Sequence, residues 1–204
     1  EKGEGTPLIL LHGLMGGVDN FGSMVDIVAS AGFKVLAPDL KLFEVPLLKT
    51  SIKYLSEYLH DFMKHKKLEK AVLVGNSLGG HIALVFSKKY PEKVDGLILT
   101  GSSGLYEKAM GDTFPRRGDY DYIKRKTEEV FYDPQVATKE LVDRVFELAN
   151  NRISTLKLLG YAKESLFYRE KLLTNDAEKG ADIALTILGA KGKFFTNLEN
   201  GLVY

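Results

Sequence analysis

Cysteine is absent from the 204 residues, so disulfides, thiolate catalysis and cysteine-ligated metals are excluded at the outset. Charge imbalance is nearly absent too. Lys and Arg number 28 against 27 Asp and Glu, and a formal charge of +1 gives no electrostatic reason to expect a nucleic-acid partner. The cluster Lys64, Lys66 and Lys67 falls at the expected end of a helix, where cations suit the dipole. No run approaches the ~18 apolar residues of a membrane span, and no secretory signal opens the chain. No membrane partner is therefore expected, and a cytoplasmic location is the default expectation. Internal repeats and low-complexity tracts are missing. Histidine is scarce: His12, His60, His65 and His81 are all there is, and none follows residue 81. No His, Asp and Glu cluster has ligand spacing, so neither a metal nor an organic cofactor is expected.

What is present reads as one folded unit. Hydrophobic residues make up 45% and charged residues 27%, an ordinary balance for a chain able to bury a core. Thr6–Leu11 (TPLILL) is a continuous apolar run, the pattern of a strand buried on both faces. Residues 18–31 carry Phe21, Val25, Val28 and Ala29 near helical spacing and stop at Gly32. A second strand follows at 33–37, closed by Pro38 and Asp39. Residues 51–66 place Ile52, Leu55, Leu59 and Phe62 on one helical face. The third strand, AVLV at 71–74, runs into Gly75-Asn76-Ser77-Leu78-Gly79-Gly80, and a helix from Leu78 to about Lys89 succeeds it. Val94–Thr100 (VDGLILT) is the fourth strand. Strands alternating with helices at this pace predict a mostly parallel α/β sheet with helices on both faces.

The texture changes near residue 105. From there to about 175 the chain is charged, tyrosine-rich and helical, with Thr138 placed to cap a helix bearing Leu141, Val145 and Leu148. Strand character returns at 183–188 (IALTIL). The expected organisation is a core at 1–104, a helical insertion at 105–175, and a return to the core with an atypical tail at 176–204.

The sequence G-x-S-x-G becomes informative through its setting, directly after an apolar strand and directly before an amphipathic helix. A serine on so sharp a turn adopts strained backbone angles and needs small neighbours. Gly75 and Gly79 supply that room, and Gly80 and Ala83 let the helix approach the sheet. Ser77 is thus the candidate nucleophile, presented at the carboxyl ends of the strands where ligands bind in such sheets. The helix N-terminus favours developing negative charge. His12-Gly13-Leu14-Met15-Gly16-Gly17 also follows a strand, and the amides of Leu14 and Leu78 are the candidate oxyanion hole.

Taken together, LILLHGLMGG, VLAPDL, AVLVGNSLGGHIAL and YPEKVDGLILTGSSG resemble the α/β-hydrolase superfamily in order and spacing. The G-N-S-L-G-G form and the helical insertion resemble its esterase and carbon–carbon hydrolase branches. That resemblance implies a helical lid after the fourth strand, hydrolysis of an ester or related carbonyl substrate, and a triad ordered serine, acid, histidine. The acid would follow IALTIL, but Gly192 stands in its place after Gly189, Ala190 and Lys191. The histidine has no counterpart either. Asp176 and Asp182 precede the last strand, at the wrong end of the sheet, and Asp39 occupies a position the family uses structurally. His12 is expected to pack in its turn, His60 and His65 to be solvated, and His81 to leave along the helix flank. The tail also resembles the C-terminal end of short-chain dehydrogenases, but no cofactor glycines or Tyr-x-x-x-Lys pair stand in a convincing setting.

Three expectations result. One is a serine hydrolase with an incomplete triad. Another is a non-catalytic binder of a small apolar ligand, with Tyr106, Phe114, Tyr120, Tyr122, Phe131 and Tyr132 available to line a cleft and Arg116 and Arg117 to meet a carboxylate. The last is a truncated or chimeric chain whose unpaired sheet edge invites self-association.

Overall fold

A computed structural model describes the backbone of residues 1–14, 16–103, 116–131, 133–173, 184–188, 194–198 and 201–202, with side chains as far as residue 163. Five parallel strands form the body of the sheet: β1 (Thr6–Leu11), β2 (Phe33–Leu36), β3 (Ala71–Asn76), β4 (Val94–Thr100) and β5 (Ala184–Leu188). Antiparallel β6 (Phe194–Leu198) and β7 (Gly201–Leu202) extend it, giving the order β2-β1-β3-β4-β5-β6-β7. β5 is thus flanked by β4 and β6, and β2 and β7 are the outermost strands.

The alternation of each strand divides its side chains between two layers. Ile9, Leu11, Leu36, Leu73, Leu97 and Leu99 face α2 (Ile52–His65) and α3 (Leu78–Lys89), and Tyr161 of α6 (Arg152–Leu173) joins that cluster. Leu8, Leu10, Val35 and Val74 face the other way, against Phe21 and α1 (Met24–Ser30). α2 begins where Ser51 Oγ accepts the Tyr54 amide at 3.0 Å, an N-cap that satisfies one orphan donor. It buries Ile52, Leu55, Leu59 and Met63. α3 is apolar nearly all round because the sheet, α2 and α6 enclose it.

The single helix expected over 18–31 is two pieces. A 3₁₀ turn spans Val18–Phe21, and Gly22 at φ +42° breaks the path before α1. Beyond β4, α4 (Tyr120–Glu128) and α5 (Lys139–Asn150) pack on one another, and Thr138 Oγ caps α5 by accepting the Leu141 amide at 3.3 Å. The residues that α5 buries are Val142 and Ala149, with Leu141, Val145 and Leu148 only half-buried. α6 is tied to the β2–α2 loop. Tyr161 donates to the Leu42 carbonyl at 3.1 Å and Lys157 Nζ to the Phe43 carbonyl at 2.6 Å. Among the described residues, no helix is long and apolar enough to cross a membrane.

Candidate active site

β3 ends at Asn76 and α3 begins at Leu78, so one residue must reverse the chain direction. Ser77 does so at φ +52°, ψ −117°. A non-glycine residue there costs of the order of 1–3 kcal/mol and persists only where its surroundings over-determine it. The surroundings are backbone in near contact. A Cβ on Gly79 would come within 2.0 Å of the Leu11 carbonyl oxygen, and one on Gly75 within 2.5 Å of the Gly80 Cα. A Cβ on Gly80 would meet Ser102 Oγ at 2.5 Å. Only glycine lets α3 start this close to β1, β3 and the end of β4.

Hydrogen bonds then fix the turn. Ser77 N–H donates to the Thr100 carbonyl at 3.1 Å. The Ser77 carbonyl accepts from Gly80 N–H (3.0 Å), His81 N–H (3.3 Å) and Ser103 N–H (3.1 Å). The backbone of Ser77 is fully engaged, whereas its half-buried hydroxyl makes no hydrogen bond among the described residues.

The turn after β1 lies directly against this serine. A Cβ on Gly13 would sit 3.1 Å from the Ser77 Cβ and 3.1 Å from Asn76 Oδ1. Leu14 follows, half-buried, and Leu78 is buried at the first position of α3. Among the described residues, neither the Leu14 nor the Leu78 amide donates a hydrogen bond. At Leu78 this follows from its place in the first turn, whose N–H groups have no intrahelical acceptor. Two amides that donate no hydrogen bond among the described residues therefore lie in the two turns that meet at the serine.

The histidines are engaged elsewhere. His12, 2% exposed, accepts the Leu40 amide on Nε2 at 3.0 Å, and its Nδ1 faces the Gly13 carbonyl at 2.9 Å. Because an amide only donates and a carbonyl only accepts, Nδ1 carries the proton and both ring nitrogens are committed to the backbone. His12 thereby ties the turn after β1 to the loop after β2. His81, fully buried one turn beyond Ser77, is pushed by burial from 6.5 down to about 4. His60, expected in solvent, is instead half-buried and stacks on Tyr90 at 4.5 Å, while His65 ends α2.

Asp39, in the loop after β2, pairs with Lys41, whose ammonium lies 2.9 Å away and holds the carboxyl below its ordinary range, and its Oδ1 stands 3.7 Å from His12 Nε2. Asp176, Asp182 and the stretch from Gly189 to Gly192 lie outside the described residues, as do Tyr106, Phe114 and Tyr132. Of the remaining aromatics, Tyr120 packs edge-on against Phe146 and donates to Asp143 Oδ1 at 2.6 Å. It joins α4 to α5. Arg116 and Arg117 are exposed.

Thr100 and Ser103 also matter to this geometry and lie outside the serine motif, while Asn76 lies within it with no role marked by the pattern. The available signal was the switch from apolar to polar at Thr100, which closes the run VDGLIL.

Comparison with known proteins agrees with the fold. A family model described as the alpha/beta hydrolase fold matches residues 6–189, through β5 but not β6 or β7. The chain is 32% identical over 145 residues to the 2-hydroxy-6-oxo-6-(2'-aminophenyl)hexa-2,4-dienoic acid hydrolase of Metapseudomonas resinovorans, covering 64% of this chain and 50% of that one. It is 28% identical over 171 residues to Lipase 1 of Psychrobacter immobilis, covering 70% and 53%. Among solved structures, an alpha/beta hydrolase enzyme from the metagenome of sediments of the lagoon of Mar Chica, Morocco, superposes at a TM-score of 0.65. That pair shares 33% identity over 92% of this chain and 82% of the other. The chain spans about half the length of these two curated relatives.

Proposed function

This chain belongs to the α/β-hydrolase fold family, and we propose that it carries the nucleophile and oxyanion elements of a serine hydrolase acting on an ester or related carbonyl substrate. The observation that carries this reading is the backbone of Ser77, held at φ +52° between β3 and α3 with its hydroxyl unengaged among the described residues. In the proposed reaction Ser77 Oγ attacks the carbonyl carbon. The carbonyl oxygen takes up the negative charge and is received by the Leu14 and Leu78 amides, each worth about 3 kcal/mol to the transition state. The hydroxyl proton passes to a general base as the new bond forms. None of the four histidines is placed for that role, so turnover depends on a base other than these. Two of the chain's curated relatives are a 2-hydroxy-6-oxo-6-(2'-aminophenyl)hexa-2,4-dienoic acid hydrolase and a lipase. They support an apolar acyl or ring-bearing substrate for this chain, with α4–α6 as its lid and Arg116 or Arg117 available to a substrate carboxylate.

Hydrolysis of short-chain p-nitrophenyl esters tests the reading. Activity that disappears in Ser77→Ala supports it, and equal rates in the two proteins overturn it.

One observation favours a second reading. Both ring nitrogens of His12 face backbone partners and burial favours the neutral form of His81, so neither of these two histidines serves Ser77 as a base. A non-catalytic binder would show saturable binding of a small apolar ester with no covalent adduct. Absence of binding across a varied ester panel would remove it.

A further inference from the structure

Asn76 and Thr100 are register partners across β3 and β4, so their side chains meet where the two strands end. Asn76 Nδ2 lies 3.1 Å from the Thr100 carbonyl oxygen and 3.1 Å from Thr100 Oγ1. Since a carbonyl only accepts, the nitrogen of the amide must face Thr100 and the oxygen must face Gly13, where it stands 3.1 Å from the place a Cβ would occupy. The same Thr100 carbonyl also accepts Ser77 N–H at 3.1 Å. Three residues further on, Ser103 gives its N–H (3.1 Å) and its hydroxyl (3.4 Å) to the Ser77 carbonyl. The strained residue is therefore gripped at both its N–H and its carbonyl by the end of β4. On its other side, Asn76 Oδ1 stands against Gly13, in the turn that precedes Leu14.

We propose that Asn76, Thr100 and Ser103 are positioning residues that hold Ser77 in its strained conformation and keep the Leu14 and Leu78 amides at a fixed distance from it. This rests on the serine-hydrolase reading for its chemical meaning, though not for its geometry. Asn76 sits inside the nucleophile motif, yet its amide nitrogen is held by Thr100 and is not free to bind substrate. Without the brace the turn relaxes toward an ordinary helix start, and the hydroxyl and the two amides lose their common focus.

Two measurements on the intact chain test the brace: amide hydrogen exchange and the rate of fluorophosphonate labelling, in wild type, Asn76→Ala, Thr100→Val and Thr100→Ser. Exchange at the Ser77 and Ser103 amides should quicken roughly tenfold in Asn76→Ala, the order of effect expected when its part-buried hydrogen bonds to Thr100 are lost. The change should be smaller in Thr100→Val and absent in Thr100→Ser, which restores the hydroxyl. The Leu59 amide in α2 should be unaffected throughout. Labelling of Ser77 should slow in the same order. Unchanged exchange at Ser77 in Asn76→Ala overturns the brace, as does acceleration shared equally by Leu59, which would mark a general loss of stability. The two claims separate cleanly. If wild type forms no adduct while the exchange pattern holds, the hydrolase reading fails and the brace stands. If Asn76→Ala is labelled as fast as wild type, the brace fails and the hydrolase reading stands.

Discussion

Two turns meet at the carboxyl edge of the sheet, one after β1 and one after β3, and they handle their polar residues in opposite ways. In the first, the side chain of His12 is committed at both ring nitrogens, to the Leu40 amide and the Gly13 carbonyl. In the second, the backbone of Ser77 is committed at both ends, and its side chain is left without a hydrogen bond among the described residues. A polar group whose partners are all supplied by backbone holds the fold together. One whose backbone is restrained while its side chain is not has reactivity in reserve. Proximity alone does not separate the two roles, because Gly13, next to His12 in the chain, also lies against Ser77.

The largest effect expected on this contrast comes from the wall between the turns. Gly79→Ala drives a Cβ into the Leu11 carbonyl, and since that is backbone, the helix or β1 must shift. A loss of about 3 kcal/mol or more is expected in denaturant unfolding, at the upper end for overpacking. A change below 1 kcal/mol would mean that α3 is not seated as described.

A slightly smaller effect sharpens the histidine side of the comparison. Burial lowers the His81 imidazole from 6.5 to about 4, so the folded protein favours the neutral ring, while the unfolded chain takes up a proton as the pH falls through 6.5. The contribution of this group is intact above pH 6.5 and is lost between 6.5 and 4, roughly 3 kcal/mol in all. Urea midpoints across that window should fall more steeply in wild type than in His81→Gln. Parallel slopes would contradict the assignment.

The smallest effect is at the first turn. His12→Ala leaves the buried Leu40 amide without its acceptor, a loss of about 1–3 kcal/mol by chemical unfolding. If His12 were instead a catalytic base, this variant would abolish Ser77 labelling while leaving stability nearly unchanged. The account expects the reverse: labelling retained and stability reduced.

The strands and the two long core helices were legible in the sequence because burial on both sheet faces leaves continuous apolar runs such as TPLILL, and because α2 carries its own period and its own Ser51 cap. The elbow was legible because close backbone contact demands glycine at fixed places around Ser77. Other features depend on contacts between distant segments. The 18–31 segment has helical spacing throughout, yet Gly22 breaks it, and spacing does not register a change of backbone hand. The contacts of Tyr120 with Asp143 and Phe146 join residues more than 20 positions apart, which no local spacing marks. His60 reads as a surface residue on its helix, but Tyr90, from beyond the end of α3, covers it. Asn76 was read as part of a motif, when its partner is a threonine 24 residues away.

The most direct measurement is the intact mass of the chain before and after exposure to a fluorophosphonate, with Ser77→Ala beside it. The account predicts one adduct on wild type and none on the variant. An unmodified wild-type mass, or an equal adduct on Ser77→Ala, would contradict the assignment of Ser77 as the activated nucleophile.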